Sequence, residues 1–358
     1  MAQNQTARKH GAARVVKRIL MVLCALIAAL AIVVFALWGG ELSTLKTLSR
    51  VEDDVNLFTM EYKADYALDE FLKAGASTDA ELVDFIVRQM LKGIPLNFDL
   101  PNLGCSTFAA QLTDGTPIFG RNFDMYDSPA LFVTTRPKDG YASISMVNLA
   151  YIGYNIESLP TSLTKSIMTL AAPYAPLDGV NEKGLAVGVL QIKTTPTNQQ
   201  TDKVDITTTS AIRLLLDRAA TVEEAVELLS QYDMHASAGS CYHFHIADAK
   251  GGSVIVEYID DEMSVVQGDA ATNFLLTPGE YDFGSGEDRY AILRETLDAN
   301  GGVFENEEQA MELLKAVSQP VSEEKKSSTQ WSCVYNQQDA GVEIAMNMDY
   351  EKVYTFGL

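Results

Sequence analysis

Asp114-Gly115 constrains the chain more than any other feature. An Asp-Gly pair between two runs of strand-forming residues is a strong signal for a two-residue β-hairpin turn. The flanking runs here are residues 106–112 and 116–121. With Asp114 and Gly115 as the loop, Thr113 faces Thr116, and counting back in register sets Cys105 opposite Asp124. Directly paired residues hold their Cβ atoms about 4.5–5.5 Å apart, so this register expects a carboxylate beside a thiol. By the same parity Arg121 points to the other face, and a bulge, for instance at Pro117, is needed to bring it round.

Strand character continues at residues 185–192, 242–247 and 253–258, the last two joined across Lys250-Gly251-Gly252, and returns at 331–356. Helices interrupt these runs. Thr221-Val222-Glu223-Glu224 caps one towards Gln231, and residues 288–297 and 307–317 read as two more. Before the hairpin, residues 41–104 read as helical. Thr78-Asp79-Ala80-Glu81 is a capping box, Leu82, Phe85, Ile86 and Met90 repeat at helical spacing, and residues 66–72 suggest a preceding helix. Strands and helices in separate runs point to an α+β fold, not a doubly wound parallel sheet.

The N-terminus is different material. Arg8, Lys9, Arg14, Lys17 and Arg18 precede an uncharged run over residues 19–38. As a helix that run reaches about 30 Å, the thickness of a bilayer core. The basic flank belongs on the cytoplasmic side, which places everything after Gly40 outside. A cleaved signal peptide is the rival reading, but Leu37 and Trp38 put bulky residues where small ones are expected before a cut. Residues 1–18 are then a basic tail, 19–38 a membrane anchor or signal segment, 41–104 a helical pro-segment and 105–358 the catalytic domain.

A net charge of −21 excludes a nucleic-acid partner, which demands a basic footprint. Outside the apolar run stand Cys105, Cys241 and Cys333, and an odd number leaves at least one free thiol. His243 and His245 alternate on one strand and share a face, but no third zinc ligand is evident. No histidine lies near Cys105 in sequence. A thiol nucleophile here therefore needs another base, and the α-amine of an N-terminal cysteine, with a pKa near about 8, is one. That requires a cut between Gly104 and Cys105. Arg121 is the cation that would favour the thiolate, and Asp124 the carboxylate that would orient the amine. The plainer reading makes Cys105 a small buried hydrophobe. Tyr62, Tyr66, Phe71 and Phe85 read as core, or else as an acyl pocket.

Gly104-Cys105-Ser106-Thr107 followed by Phe119-Gly120-Arg121-Asn122-Phe123-Asp124 resembles the N-terminal-nucleophile amidases, the superfamily of choloylglycine hydrolase, penicillin V acylase, acid ceramidase and N-acylethanolamine acid amidase. In that pattern the arginine stands 16 and the aspartate 19 residues after the cysteine, as here. Gly179-Val180-Asn181-Glu182-Lys183-Gly184-Leu185, Thr272-Asn273 and Asp288-Arg289-Tyr290 resemble further motifs of the same family. The resemblance implies an αββα sandwich. It implies that Cys105 is the nucleophile, that Arg121 supports its thiolate and that Asp124 binds its amine. It gives Asn273 the oxyanion and Arg289 a bracing role. Bile salt hydrolases carry asparagine in the second oxyanion position, where this chain has Gln191. They also begin almost at the cysteine, whereas acid ceramidase carries a preceding segment and releases it by self-cleavage.

The expectation is a cofactor-free and metal-free hydrolase of linear N-acyl amides, working through a thioester on Cys105. Its partners are the small-molecule substrate and, through the N-terminal helix, the membrane. An acyltransferase would use the same residues. A dead, surface-anchored binding protein would have lost Cys105, Arg121 or Asp124, and all three are present.

Overall fold

The computed structural model describes residues 2–98, 104–321 and 326–358. Two sheets pack face to face. The first runs in the order Ser49–Arg50, Leu57–Tyr62, Ala130–Thr135, Ser143–Asn148, Pro176–Asn181, Ala186–Ile192, Cys241–Ala247, Ser253–Ile259, Glu262–Gln267. The second runs Ala270–Ala271, Gly104–Leu112, Pro117–Met125, Ser328–Asn336, Gly341–Met346, Val353–Gly357, with Val303–Phe304 added beside Gly104–Leu112. Helix Thr208–Arg218 covers the outside of the first sheet, and helices Glu287–Asn300 and Glu307–Ala316 cover the second. This is the αββα arrangement. The apolar residues of both inner faces form the main core, and Phe108, Ile118, Leu293, Leu313 and Val334 form a second core under the outer helices. The sheets pack tightly at Gly188, where a Cβ would sit 3.2 Å from the Thr107 methyl.

The central hairpin forms, but one residue out of the expected register. Gly104 faces Asp124, Cys105 faces Phe123 and Thr107 faces Arg121. The loop has three residues, not two. Leu112 and Thr116 close it (Leu112 N to Thr116 O, 2.8 Å), Gly115 N bonds Leu112 O at 2.9 Å, and Gly115 turns left-handed at φ +89°. That is a type I turn ending in a glycine bulge. A one-residue slip exchanges the faces of a strand. Arg121 therefore shares the inner face with Cys105, while Asp124 lies on the helix-facing side. The bulge that brings Arg121 round comes from Gly115, not from Pro117.

The segment before Gly104 is not purely helical, which corrects the expected pro-segment. Helices Leu68–Ala74 and Asp79–Gln89 form, the latter capped by the Thr78 side chain. Leu57–Tyr62, however, is a strand paired parallel to Ala130–Thr135. Its short apolar run lacks the length that separates a strand from a helix by periodicity. The expected residues 99–103 of this segment lie outside the described residues. Tyr66, Phe71, Phe85 and Tyr174 pack edge to face or tilted, with ring centroids 5.2–6.4 Å apart, and Tyr62 joins them through Tyr66, so these aromatics are core.

A single helix runs Ala2–Leu45. Among the described residues no helix is long and apolar enough to cross a membrane. Within the expected span, the side chains of Leu30, Ala31, Val34 and Phe35 lie outside the described residues, and Ile19, Leu26, Ile32 and Leu37 are among those exposed.

Candidate active site

Cys105 is the second residue of its strand, and its thiol is fully buried between the sheets. Each of its backbone groups is held. The Cys105 N–H donates to Asn273 Oδ1 at 2.8 Å, and the Cys105 carbonyl accepts from Arg289 Nη1 at 2.5 Å. Arg289 Nη2 donates to the same Asn273 oxygen at 3.0 Å, and Asn273 Nδ2 donates to the Gln191 carbonyl at 2.9 Å. Asn273 is fixed in turn by paired backbone bonds to Ser285. Arg289 stands in the first turn of its helix and reaches inward past Gly286.

Arg121 lies on the thiol's side of the hairpin, wholly buried. Its Nε meets Asp178 Oδ2 at 3.4 Å, while Nη1 and Nη2 find no nitrogen or oxygen acceptor among the described residues and the guanidinium interacts with the Cys105 thiol. Burial pushes the Cys105 thiol above the ordinary cysteine range, and the Arg121 charge opposes that rise. Asp178 is the residue that sequence reasoning missed. It is buried on Pro176–Asn181, and it accepts from the Tyr335 hydroxyl and from Trp331 Nε1 at 3.3 Å. Burial raises its carboxyl and Arg121 counters this. The available signal was an acidic residue inside an otherwise apolar strand, because a buried carboxylate needs a partner.

Asp124 stands beside Gly104, not beside the thiol. Its carboxylate accepts from Gln319 Nε2 at 2.5 Å and from Thr329 Oγ1 at 2.6 Å, with Arg289 Nη1 at 3.6 Å. A Cβ on Gly104 would sit 3.0 Å from both Asp124 Oδ2 and Gln319 Nε2. Gln191 donates from Nε2 to Ser240 Oγ at 2.7 Å. Gly104, Gln191, Asn273, Arg289 and Gln319 line one polar cleft of about 190 Å³. The structure thus gathers Cys105, Arg121, Asp124, Asn273, Arg289 and Gln191 around one peptide bond, with Arg121 and Asp124 on opposite sides of the hairpin.

The histidines go elsewhere. His245 sits between Thr107 Oγ1 (2.8 Å) and Ser253 Oγ (2.9 Å), and His243 between Glu257 and the Thr272 carbonyl. Cys241 and Cys333 are separate buried thiols.

Residues 105–277 match the family model of the linear amide C–N hydrolases, choloylglycine hydrolase family. A penicillin V acylase from Pectobacterium atrosepticum is 34% identical over 102 residues, which covers 25% of this chain and 26% of that protein. The chain thus spans about a quarter of the length of that relative. Among solved structures, a mutant conjugated bile acid hydrolase from Clostridium perfringens is similar at TM-score 0.51 and 16% identity, covering 71% of this chain and 92% of that one. A penicillin V acylase from Agrobacterium tumefaciens is similar at TM-score 0.50 and 19% identity, covering 71% and 86%. At those identities the two structures establish the αββα fold alone. The chain resembles this hydrolase family at the motifs its sequence carries.

Proposed function

We propose, from a segment that matches the linear amide C–N hydrolases, that this chain is a cysteine amidase of N-acyl amides with Cys105 as its nucleophile. The observation that carries the proposal is a buried thiol on the same side of the hairpin as Arg121, whose charge favours the thiolate, on a residue whose own N–H and carbonyl are held by Asn273 and Arg289. Cleavage of the Gly104–Cys105 bond frees the Cys105 amine. Asp124 lies against Gly104, and in this reading it receives that amine as an ammonium. The amine takes the thiol proton, the sulfur attacks the amide carbonyl, and the tetrahedral oxyanion takes donors from the Asn273 and Gln191 side. The leaving amine departs with a proton, and water hydrolyses the acyl-thioester to the acid. Each oxyanion donor can contribute about 2.7–4 kcal/mol. Arg121 favours the thiolate before it attacks and again as water expels it from the thioester, and Asp178 holds Arg121.

The basic flank and the exposed apolar residues of the N-terminal helix support the further reading that this helix anchors the enzyme, with the catalytic part outside the cytoplasm. Protease added to intact cells then removes the catalytic domain; complete protection until lysis refutes this placement.

Intact mass with N-terminal sequencing tests the mechanism. Active protein contains a 254-residue piece starting at Cys105, the 358 residues less the first 104. Cys105→Ala stays full length. Full activity with the Gly104–Cys105 bond intact would refute the free-amine mechanism.

A further inference from the structure

Asn273 occupies a turn with little regular structure of its own, and a buried pair beneath it holds both ends. His243 lies on Cys241–Ala247 and Glu257 on the neighbouring Ser253–Ile259, both fully buried. His243 Nε2 meets the Thr272 carbonyl at 2.7 Å, on the near side of Asn273. His243 Nδ1 meets Glu257 Oε1 at 3.0 Å. Glu257 then accepts from the backbone N–H of Leu276 at 2.7 Å and of Thr277 at 2.8 Å, on the far side. The Thr272 carbonyl can only accept, so His243 Nε2 donates to it, while Nδ1 meets a carboxylate that already takes two backbone donors. The hydrogen bonds of the pair are thus spent on each other and on one stretch of backbone, residues 272–277.

We infer that His243 and Glu257 are positioning residues: they clamp the turn that carries Asn273 and so set where its side chain meets Cys105. Neither touches Cys105 in the contacts described above; they act through Asn273. Their effect on turnover rests on the amidase reading, but the clamp itself can be measured without any activity. Buried hydrogen-bonded pairs of this kind fix geometry because each partner is costly to leave unmatched. The segment has little regular structure, a two-residue strand before it and an isolated bridge to Ser285, and Leu275 and Leu276 pack on its far side, so the pair adds polar anchors at both ends of the turn.

The test uses the full-length protein with Glu257→Gln, His243→Leu and His243→Gln. Glu257→Gln keeps the shape but gives up one acceptor, His243→Leu removes both ring nitrogens, and His243→Gln retains a donor able to reach the Thr272 carbonyl. Three quantities are read: hydrogen exchange of peptides covering 104–108 and 270–278, kcat and KM on a chromogenic N-acyl amide, and iodoacetamide labelling of Cys105. The expected result in Glu257→Gln and His243→Leu is exchange at least about tenfold faster in both peptides, with other strands of the two sheets unchanged. Turnover falls about 10- to 100-fold in kcat, while KM and the labelling rate move less than about threefold, as for loss of a transition-state interaction. His243→Gln recovers part of both effects. Faster exchange confined to 270–278, with residues 104–108 and kcat unchanged, overturns the inference. If the wild type does not hydrolyse the amide, the amidase reading fails, and exchange at 104–108 alone decides the clamp.

Discussion

His245 gives the chain a built-in sensitivity to acid that can be worked out in advance. The ring is fully buried, edge-on to Phe119 at 5.0 Å, and hydrogen-bonded to the hydroxyls of Thr107 and Ser253. Burial, then the charges of His243 and Arg121, lower its pKa from 6.5 to about 3. A histidine whose folded pKa is depressed stays neutral when folded and binds a proton when unfolded, so stability is lost as pH falls below the unfolded value. Each unit below about 6.5 favours the unfolded chain by about 1.4 kcal/mol, which gives about 2 kcal/mol at pH 5. The carboxylates of this acidic chain titrate over the same range, so the variant must be compared with the parent at each pH. His245→Asn loses packing and a hydrogen bond and should be less stable at pH 7 by about 1–3 kcal/mol. It has no imidazole to titrate at this position. The gap between parent and variant should therefore shrink by about 2 kcal/mol from pH 7 to pH 5. Urea unfolding in a Cys105→Ala background, where the chain stays in one piece, measures both gaps. A gap that stays constant within about 0.5 kcal/mol refutes the depressed titration, since about 2 kcal/mol is required by the linkage.

Arg121→Leu should slow iodoacetamide labelling of Cys105 at neutral pH by about tenfold or more, because one pKa unit is a factor of ten in thiolate. The same change strands Asp178 as a buried charge and should cost about 3–5 kcal/mol in denaturant unfolding; unchanged labelling would remove Arg121 from the thiolate role. Gly104→Ala places a methyl against the Asp124 carboxylate and Gln319, so the 254-residue piece should appear several-fold more slowly, followed by gel mass shift, with a stability loss of about 1–3 kcal/mol. After maturation the N-terminal piece should co-elute with the catalytic piece in native gel filtration and separate only in denaturant, because its strand is hydrogen-bonded into the first sheet; separation in native buffer would contradict that pairing.

The hairpin and the helices capped by Thr78 and Thr221 were legible in the sequence, because a turn dipeptide or a cap states its own geometry locally. The faces of the hairpin were not. Asp-Gly serves a two-residue turn and a three-residue turn ending in a glycine bulge equally well, and that single-residue choice decides whether Arg121 or Asp124 shares a side with Cys105. The common face of His243 and His245 followed from strand alternation, but their partners lie 29 residues away at Thr272 and 138 residues away at Thr107, and no local pattern encodes such distances. Asp178 and the strand Leu57–Tyr62 were hidden for related reasons: the first is defined by Arg121, Trp331 and Tyr335 across the sandwich, the second by an edge it alone completes.

That edge bears on how the protein can be made. Ala130–Thr135 is almost wholly buried and offers one side of its backbone to Leu57–Tyr62, a strand encoded before the proposed cut. A gene started at Cys105 would produce the mature sequence with that side bare, an apolar ribbon open to pairing with other copies. The proposed maturation therefore has an order: the chain folds as one piece and is severed afterwards, and the severed segment remains as a permanent wall. Recombinant protein begun at the nucleophile should collect in aggregates, and supplying residues 41–104 as a separate polypeptide during folding should restore soluble material.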